Sequence, residues 1–461
     1  MKKNAFTKKF IPLAAVSAIA FAGIAGTGTD AETKTNNARE DHAKVKNVIF
    51  LIGDGMGNSY TSAYRYLKDD PSTKTVERMA FDQYLVGQQM TYAEDADENV
   101  TDSSSAATAM AAGIKTYNSA VAVDNDKSEV KTVLEAAKEQ GKATGLVATS
   151  EITHATPASF GSHDPNRKNM NGIADDYFDE LINGQHKVDV LLGGGADLLI
   201  REDRNIAEEF QADGFSFVDS REELLADTND QVIGLFAPRG LPKMIDRDAS
   251  VPSLEEMTES ALDRLSQDKD GFFLMVEGSQ IDWAGHDNDI VGAMSEMEDF
   301  EKAFEAAIEF AKKDKHTLVI ATADHSTGGF SMGADGEYNW FSEIVEGAER
   351  TPDFMAEAIL DGADADAVLN DYIGFDVTDA EAAAVREAAA TNDLRATDDA
   401  IENIINERTL TGWTTGGHTG EDVNVYAYGP ASHQFAGHLD NTDQAKIIFD
   451  LLKADVTIDD K

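Results

Sequence analysis

The chain has no cysteine in its 461 residues. That excludes disulfides, thiolate metal ligands and a lipid carried on cysteine, so a chain exported to an oxidising space must rely on its core and on bound metals. Positive charge is scarce as well: 39 Lys and Arg face 85 Asp and Glu, a formal net charge of −46. A surface of that sign repels a phosphodiester backbone, which argues against nucleic-acid binding. Long apolar runs are missing beyond the first 31 residues, and nothing later approaches the ~20 residues of a membrane span. Internal repeats and low-complexity tracts are absent too.

The one apolar run, from Phe10 to about Ala25, follows Lys2, Lys3, Lys8 and Lys9. This order reads as a secretory signal ending near Ala31. The first 31 residues carry four lysines and one aspartate, so the remainder stands at −49. Residues 32–45 read as an acidic polar linker, and 46–455 as one catalytic domain. Within it, the alternation of strands and motifs lapses between residues 328 and 411. Ala380–Ala390 and Asp398–Ile405 pattern there as amphipathic helices, which predicts an inserted, mainly helical region near the mouth of the site. Few of the carboxylates are needed as ligands. The rest form a solvated surface of the kind that salt screens, and weak calcium sites are another use for the excess.

Chemistry-bearing residues recur after short apolar runs. Val48–Ile52 leads to Gly53-Asp54-Gly55-Met56-Gly57, Gly145–Ala148 to His154 and Thr156, Phe272–Val276 to Glu277, Asp282 and His286, and Thr317–Ala321 to Asp324-His325. Such runs followed by turns read as buried strands, and function in open α/β sheets gathers at strand carboxyl ends. Gly416-Gly417-His418 instead precedes an apolar stretch, Val423–Tyr428. The fold predicted is α/β, a central mostly parallel sheet flanked by helices.

Asp282 and His286 stand four apart and share a helix face, and His418 adds a second nitrogen, a set that suits catalytic zinc. Asp54 with Asp324 and His325 suits a second ion. Asp54, Thr156 and Glu277 offer oxygen, the preference of Mg2+. Thr101-Asp102-Ser103 opens a helix of small residues, where unpaired N–H groups favour anions, so Ser103 is a candidate nucleophile as well as part of a cap.

Together these motifs resemble the bacterial alkaline phosphatase family in order and spacing, closest to the secreted Gram-positive type, from about Lys46 to the C-terminal region. The resemblance implies Ser103 as nucleophile and Arg167 as phosphate clamp. It implies two zinc ions, one on Asp282, His286 and His418 and one on Asp54, Asp324 and His325. A magnesium would sit on Thr156, Glu277 and the bridging Asp54. His154 stands where some members have an Asp supporting that magnesium, and Trp283 where some have Lys or His near the phosphate.

The function expected is a secreted phosphomonoesterase acting on small phosphate monoesters through a phosphoserine and inhibited by inorganic phosphate; a homodimer is compatible with it. A diesterase of the same superfamily is the nearest rival, and the third metal site argues against it. A sulfatase lacks its Cys/Ser-x-Pro-x-Arg run here. A non-catalytic cation-binding surface protein would repeat its acidic motifs evenly instead of clustering them at strand ends. Val188–Gly195 lacks the Lys-Ser/Thr ending of a phosphate loop. His163, His186, His316, His433 and His438 take no assigned role.

Overall fold

The computed structural model describes residues 45–453. The expected signal sequence, almost all of the linker, and residues 454 and 455 of the expected domain lie outside them.

Ten strands form one sheet: β1 (Asn47–Gly53), β2 (Leu85–Met90), β3 (Ala143–Glu151), β4 (Val190–Gly194), β5 (Ser216–Val218), β6 (Val232–Leu235), β7 (Phe272–Gly278), β8 (Thr317–Ala323), β9 (Val423–Tyr428) and β10 (Gly437–Asp440). Their order is β10-β2-β9-β8-β1-β7-β3-β4-β6-β5. From β8 through β1, β7, β3, β4 and β6 to β5 every pairing is parallel. β9 is antiparallel to β8 and β2, while β10 runs parallel to β2.

The strand runs are apolar without alternation because both faces are covered. In β1, Ile49 and Leu51 enter the core on one face, and Val48, Phe50 and Ile52 enter the core on the other. Three helices carry site residues, α1 (Ser103–Ala112), α2 (Ala155–Gly161) and α3 (Gln280–Asp287); α4 (Ile290–Asp314) follows α3, and the 328–411 segment ends in α9 (Leu394–Thr409). That segment holds four more helices, α5 (Ser342–Gly347), α6 (Pro352–Leu360), α7 (Ala365–Tyr372) and α8 (Asp379–Ala389). Val188–Gly195 resolves into β4 and a tight turn in which Gly195 has φ +98°. Among the described residues no helix is long and apolar enough to cross a membrane.

Candidate active site

Parallel strands all present their carboxyl ends on one edge, and that edge gathers the candidates. β1 delivers Asp54 and β8 delivers Asp324 and His325, in register because Gly53 pairs with Ala323. β7 delivers Glu277 and, through α3, Asp282 and His286. β3 runs on into His154, the residue before α2, with Thr156 in its first turn. Gly55 has φ +69°, and a Cβ there would lie 2.7 Å from Thr327 Oγ1 and 2.8 Å from the Asp282 Cα, so only glycine lets these loops meet.

Three ligand groups result: Asp282/His286/His418, Asp54/Asp324/His325 and Asp54/His154/Glu277, each with ligand atoms within 4.8 Å of one another. In the first, His286 Nδ1 donates to the Gly416 carbonyl at 2.7 Å and His418 Nδ1 to the Thr101 carbonyl at 2.8 Å. In the neutral rings their Nε2 atoms are then bare, and they face each other at 3.1 Å. Asp282 oxygens lie 3.3 Å and 3.5 Å from them. Two lone pairs and a carboxylate converging on one point suit a cation.

The second group follows the same logic. Thr327 Oγ1 donates to Asp282 Oδ1, which leaves its oxygen to accept from His325 Nδ1 at 3.3 Å. His325 Nε2 then turns its lone pair toward Asp54 Oδ1 at 3.4 Å and Asp324 Oδ2 at 3.3 Å. Both Asp54 oxygens, Asp324 Oδ2, Glu277 Oε1 and Thr156 Oγ1 are buried without a hydrogen-bond partner. Buried anions are otherwise paired or bound to metal, so the donor sets fit metal ions.

The electrostatics agree. Burial, then the Asp282, Asp324 and Glu277 charges, push Asp54 well above the usual carboxylate range. Burial lifts Glu277 to about 7, and burial with the Asp282 charge lifts Asp324 to about 8. At Asp282 burial is outweighed by the His286 hydrogen bond and the neighbouring imidazoles, so its carboxyl is held below its ordinary value. The Asp282 hydrogen bond raises His286 to about 9. Burial, and next the Arg167 charge, lower His154 to about 3, so that imidazole is neutral.

Ser103 is the first residue of α1, its hydroxyl 3.3 Å from His325 Nε2. Asp102 caps the helix by accepting from the Ser105 N–H at 2.9 Å. Arg167 reaches in from the loop after α2: Nη1 donates to Asp102 Oδ2 and Nη2 to His154 Nε2, both at 3.1 Å. Trp283 packs on Gly240, where a Cβ would lie 2.4 Å from the indole, and its ring stands edge-on to His154, 5.6 Å between centroids. Every expected site residue thus lies in one connected cluster. Thr327, Asp102 as the Arg167 partner, and the Thr101 and Gly416 carbonyls went unread in the sequence. Thr327 follows His325 by two, a spacing that puts both on one side of an extended segment.

An α/β sheet carrying clustered carboxylate and imidazole ligands beside a serine in the first turn of a helix fits a hydrolase of the metal-dependent kind. The family model "Alkaline phosphatase" matches residues 45–454, and the chain belongs to that family. It is 64% identical to alkaline phosphatase 3 of Bacillus subtilis over the full length of both chains. A cold-active alkaline phosphatase from a psychrophilic Shewanella superposes with TM-score 0.83 at 42% identity, covering 88% of this chain and 99% of that one. A histidine-to-glutamate mutant of the TAB5 alkaline phosphatase, described with Mg bound in its M3 site, superposes with TM-score 0.66 at 30% identity, covering 89% and 99%. The protein is a phosphomonoesterase.

Proposed function

We propose that the chain is a secreted alkaline phosphatase that hydrolyses small phosphate monoesters through a phosphoserine on Ser103. The observation that carries this is the convergence of three ligand groups on the Ser103 hydroxyl and the Arg167 guanidinium. Asp282, His286 and His418 would hold one zinc, and Asp54, Asp324 and His325 a second. Asp54, Thr156 and Glu277 would hold magnesium, with His154 beside them. Bound there, the metals supply Lewis acidity that lowers hydroxyl pKa values and offsets phosphate charge.

The chain's own groups do the rest. Arg167 and the N–H groups opening α1 orient the phosphoryl oxygens, and Asp102 holds the guanidinium in place. The Ser103 hydroxyl gives its proton to solvent, its oxygen forms a bond to phosphorus as the bond to the alcohol oxygen breaks, and the departing alcohol oxygen takes a proton from solvent. Water then attacks the phosphoserine, and Ser103 recovers its proton as inorganic phosphate departs. Neutral His154 accepts from Arg167 and keeps the fork turned toward the site.

Export by residues 1–31, a linker over 32–45, a domain over 46–455 with 328–411 inserted near the site, and a homodimer complete the proposal. The excess of negative charge supports a protein that leaves nucleic acids unbound. The test is hydrolysis of an aryl phosphate against its diester, with chelator and after Zn2+ and Mg2+ repletion. Ser103→Ala should lose most turnover while keeping its metals, and acid quench of the parent should leave phosphate on Ser103. Label on another residue would overturn the assignment. N-terminal sequencing of protein from the medium checks export, and sedimentation checks the dimer.

A further inference from the structure

Between the start of α1 and Arg167 stands the turn Tyr117–Ala120, closed by the Ala120 N–H donating to the Tyr117 carbonyl at 3.2 Å. At its centre is Asn118, whose side chain offers two lone pairs on oxygen and two N–H donors. All four are used. Oδ1 accepts from the Asp102 N–H and from Ser105 Oγ, both at 2.9 Å. Nδ2 donates to the Val100 carbonyl at 3.0 Å and to Glu98 Oε2 at 2.9 Å. The Asn118 N–H donates to Asp95 Oδ2 at 3.1 Å. One side chain thus joins the segment leading into α1 to the first turn of that helix, and it keeps no polar group spare for a substrate.

Ser119 takes up the other partner. Its N–H donates at 2.9 Å to Asp102 Oδ2, the oxygen that also accepts from Arg167 Nη1. Its carbonyl accepts from the Arg167 N–H at 2.9 Å. On either side of the turn, Val121 and Asp164 exchange two backbone hydrogen bonds at 2.9 Å, and the Tyr117 hydroxyl donates to the Pro165 carbonyl at 2.9 Å. The turn therefore ties the segment 164–167 to the start of α1, although Arg167 and Asp102 are 65 positions apart in the chain. Ser119 has φ +78°, a conformation that costs energy in any residue but glycine and persists where the surroundings over-determine it.

We propose that Asn118 is a positioning residue for the phosphatase reaction. It holds the Asp102 backbone while Ser119 holds the Asp102 carboxylate and the Arg167 backbone, and together they set the separation between the Ser103 hydroxyl and the guanidinium that a phosphoryl group must bridge. That role rests on Ser103 and Arg167 acting as nucleophile and phosphate clamp. Removing the Asn118 amide leaves the Asp102 N–H without its acceptor and releases Val100 and Glu98. Asp102 then carries the guanidinium on a looser base, and in such a site a misplacement of about 1 Å costs up to about a hundredfold in rate.

The test uses the full chain loaded with zinc and magnesium. Asn118→Ala should raise both the KM for an aryl phosphate and the inhibition constant of inorganic phosphate by about tenfold, the effect of roughly one hydrogen bond, with zinc content unchanged. A loss of kcat alone, with both constants at parent values, is what fewer folded or loaded molecules would give, and it would overturn the role. In an Arg167→Ala background, Asn118→Ala should weaken phosphate inhibition by less than about threefold more, because the clamp it positions is gone. A further tenfold there would show that Asn118 does not act through Arg167. Ser253→Ala, which uncaps the helix Leu254–Leu265, should lower the unfolding midpoint and leave both constants unchanged. A matching rise in that variant would trace the effect to lost stability and overturn the role. Asn118→Ser, whose hydroxyl stops short of the Asp102 N–H, reads the same constants if the alanine variant does not fold. Parent-like phosphate inhibition in Arg167→Ala would remove the clamp and the role of Asn118 with it. The same result in Asn118→Ala, with Arg167→Ala impaired, would remove Asn118 alone.

Discussion

At the residue scale, the tertiary structure assigns partners that residue type alone leaves open. Arg167 reads as a phosphate fork, yet Nη1 is bonded to Asp102 and Nη2 to His154. Its orientation is thus set before substrate arrives, and the contact with the phosphoryl group should contribute about 1.5–3 kcal/mol. Arg167→Ala should weaken inhibition by inorganic phosphate and lower kcat/KM by roughly ten- to a hundredfold. Arg167→Lys should recover only part, since a point charge lacks the fork. Unchanged phosphate inhibition in the alanine variant would remove Arg167 from the site. His154 puts a nitrogen beside Asp54 and Glu277 in a group otherwise made of oxygen. Magnesium prefers oxygen, so His154→Asp should bind Mg2+ more tightly, read as a lower Mg2+ concentration for half-maximal activity of zinc-loaded protein. An unchanged Mg2+ requirement would show that His154 does not face that ion.

At the scale of elements, the strand ends concentrate charge that only cations can offset. Asp324 and Glu277 have their pKa values raised, so below about pH 4 they hold protons whether the chain is folded or unfolded. As pH rises toward the folded values of about 7 and 8, the unfolded chain ionises first, and stability falls. His286, raised to about 9, acts with the same sign, since the stability it adds below its unfolded pKa is lost as pH climbs through that value. Buried, neutral His154 acts with the opposite sign up to its unfolded value of about 6.5, so chelated protein should show an unfolding midpoint that drops between about pH 6.5 and pH 8. Metal-loaded protein should not follow it, because bound ions hold the carboxylates ionised. Parallel pH profiles for the two forms would mean that these carboxylates do not face metal.

The strand ends were legible from apolar runs and the turns after them. Two of the five helices between residues 328 and 411 were legible as amphipathic segments, Asp379–Ala389 lying where Ala380–Ala390 was read and Leu394–Thr409 containing Asp398–Ile405. What periodicity could not show was Thr327 between Asp282 and His325, because that link joins a side chain on α3 to one just beyond β8, 45 residues apart.

For the whole molecule, the charge of −46 acts on every element at once. Repulsion among surface carboxylates is screened as the Debye length shortens from about 10 Å at 0.1 M to about 3 Å at 1 M salt. The unfolding midpoint of metal-loaded protein should climb between 0.1 and 2 M NaCl with constant zinc content, the buried ligands being screened less. A flat or falling midpoint would mean that self-repulsion does not limit stability.

By itself the sequence determined the class of fold and most of the candidate ligands, because both are written locally, while Arg167 and a role for His154 were singled out by family resemblance. Apolar runs specify buried strands, turns follow them, and ligand types at fixed spacing sit where a parallel sheet must gather them. Tertiary structure alone decided which nitrogen of each histidine is bare, where Arg167 is anchored and which carboxylates lack a cation. Each of those depends on groups far apart in the chain meeting where water is excluded, and there the strength of a charge or hydrogen bond is set by its neighbours in space.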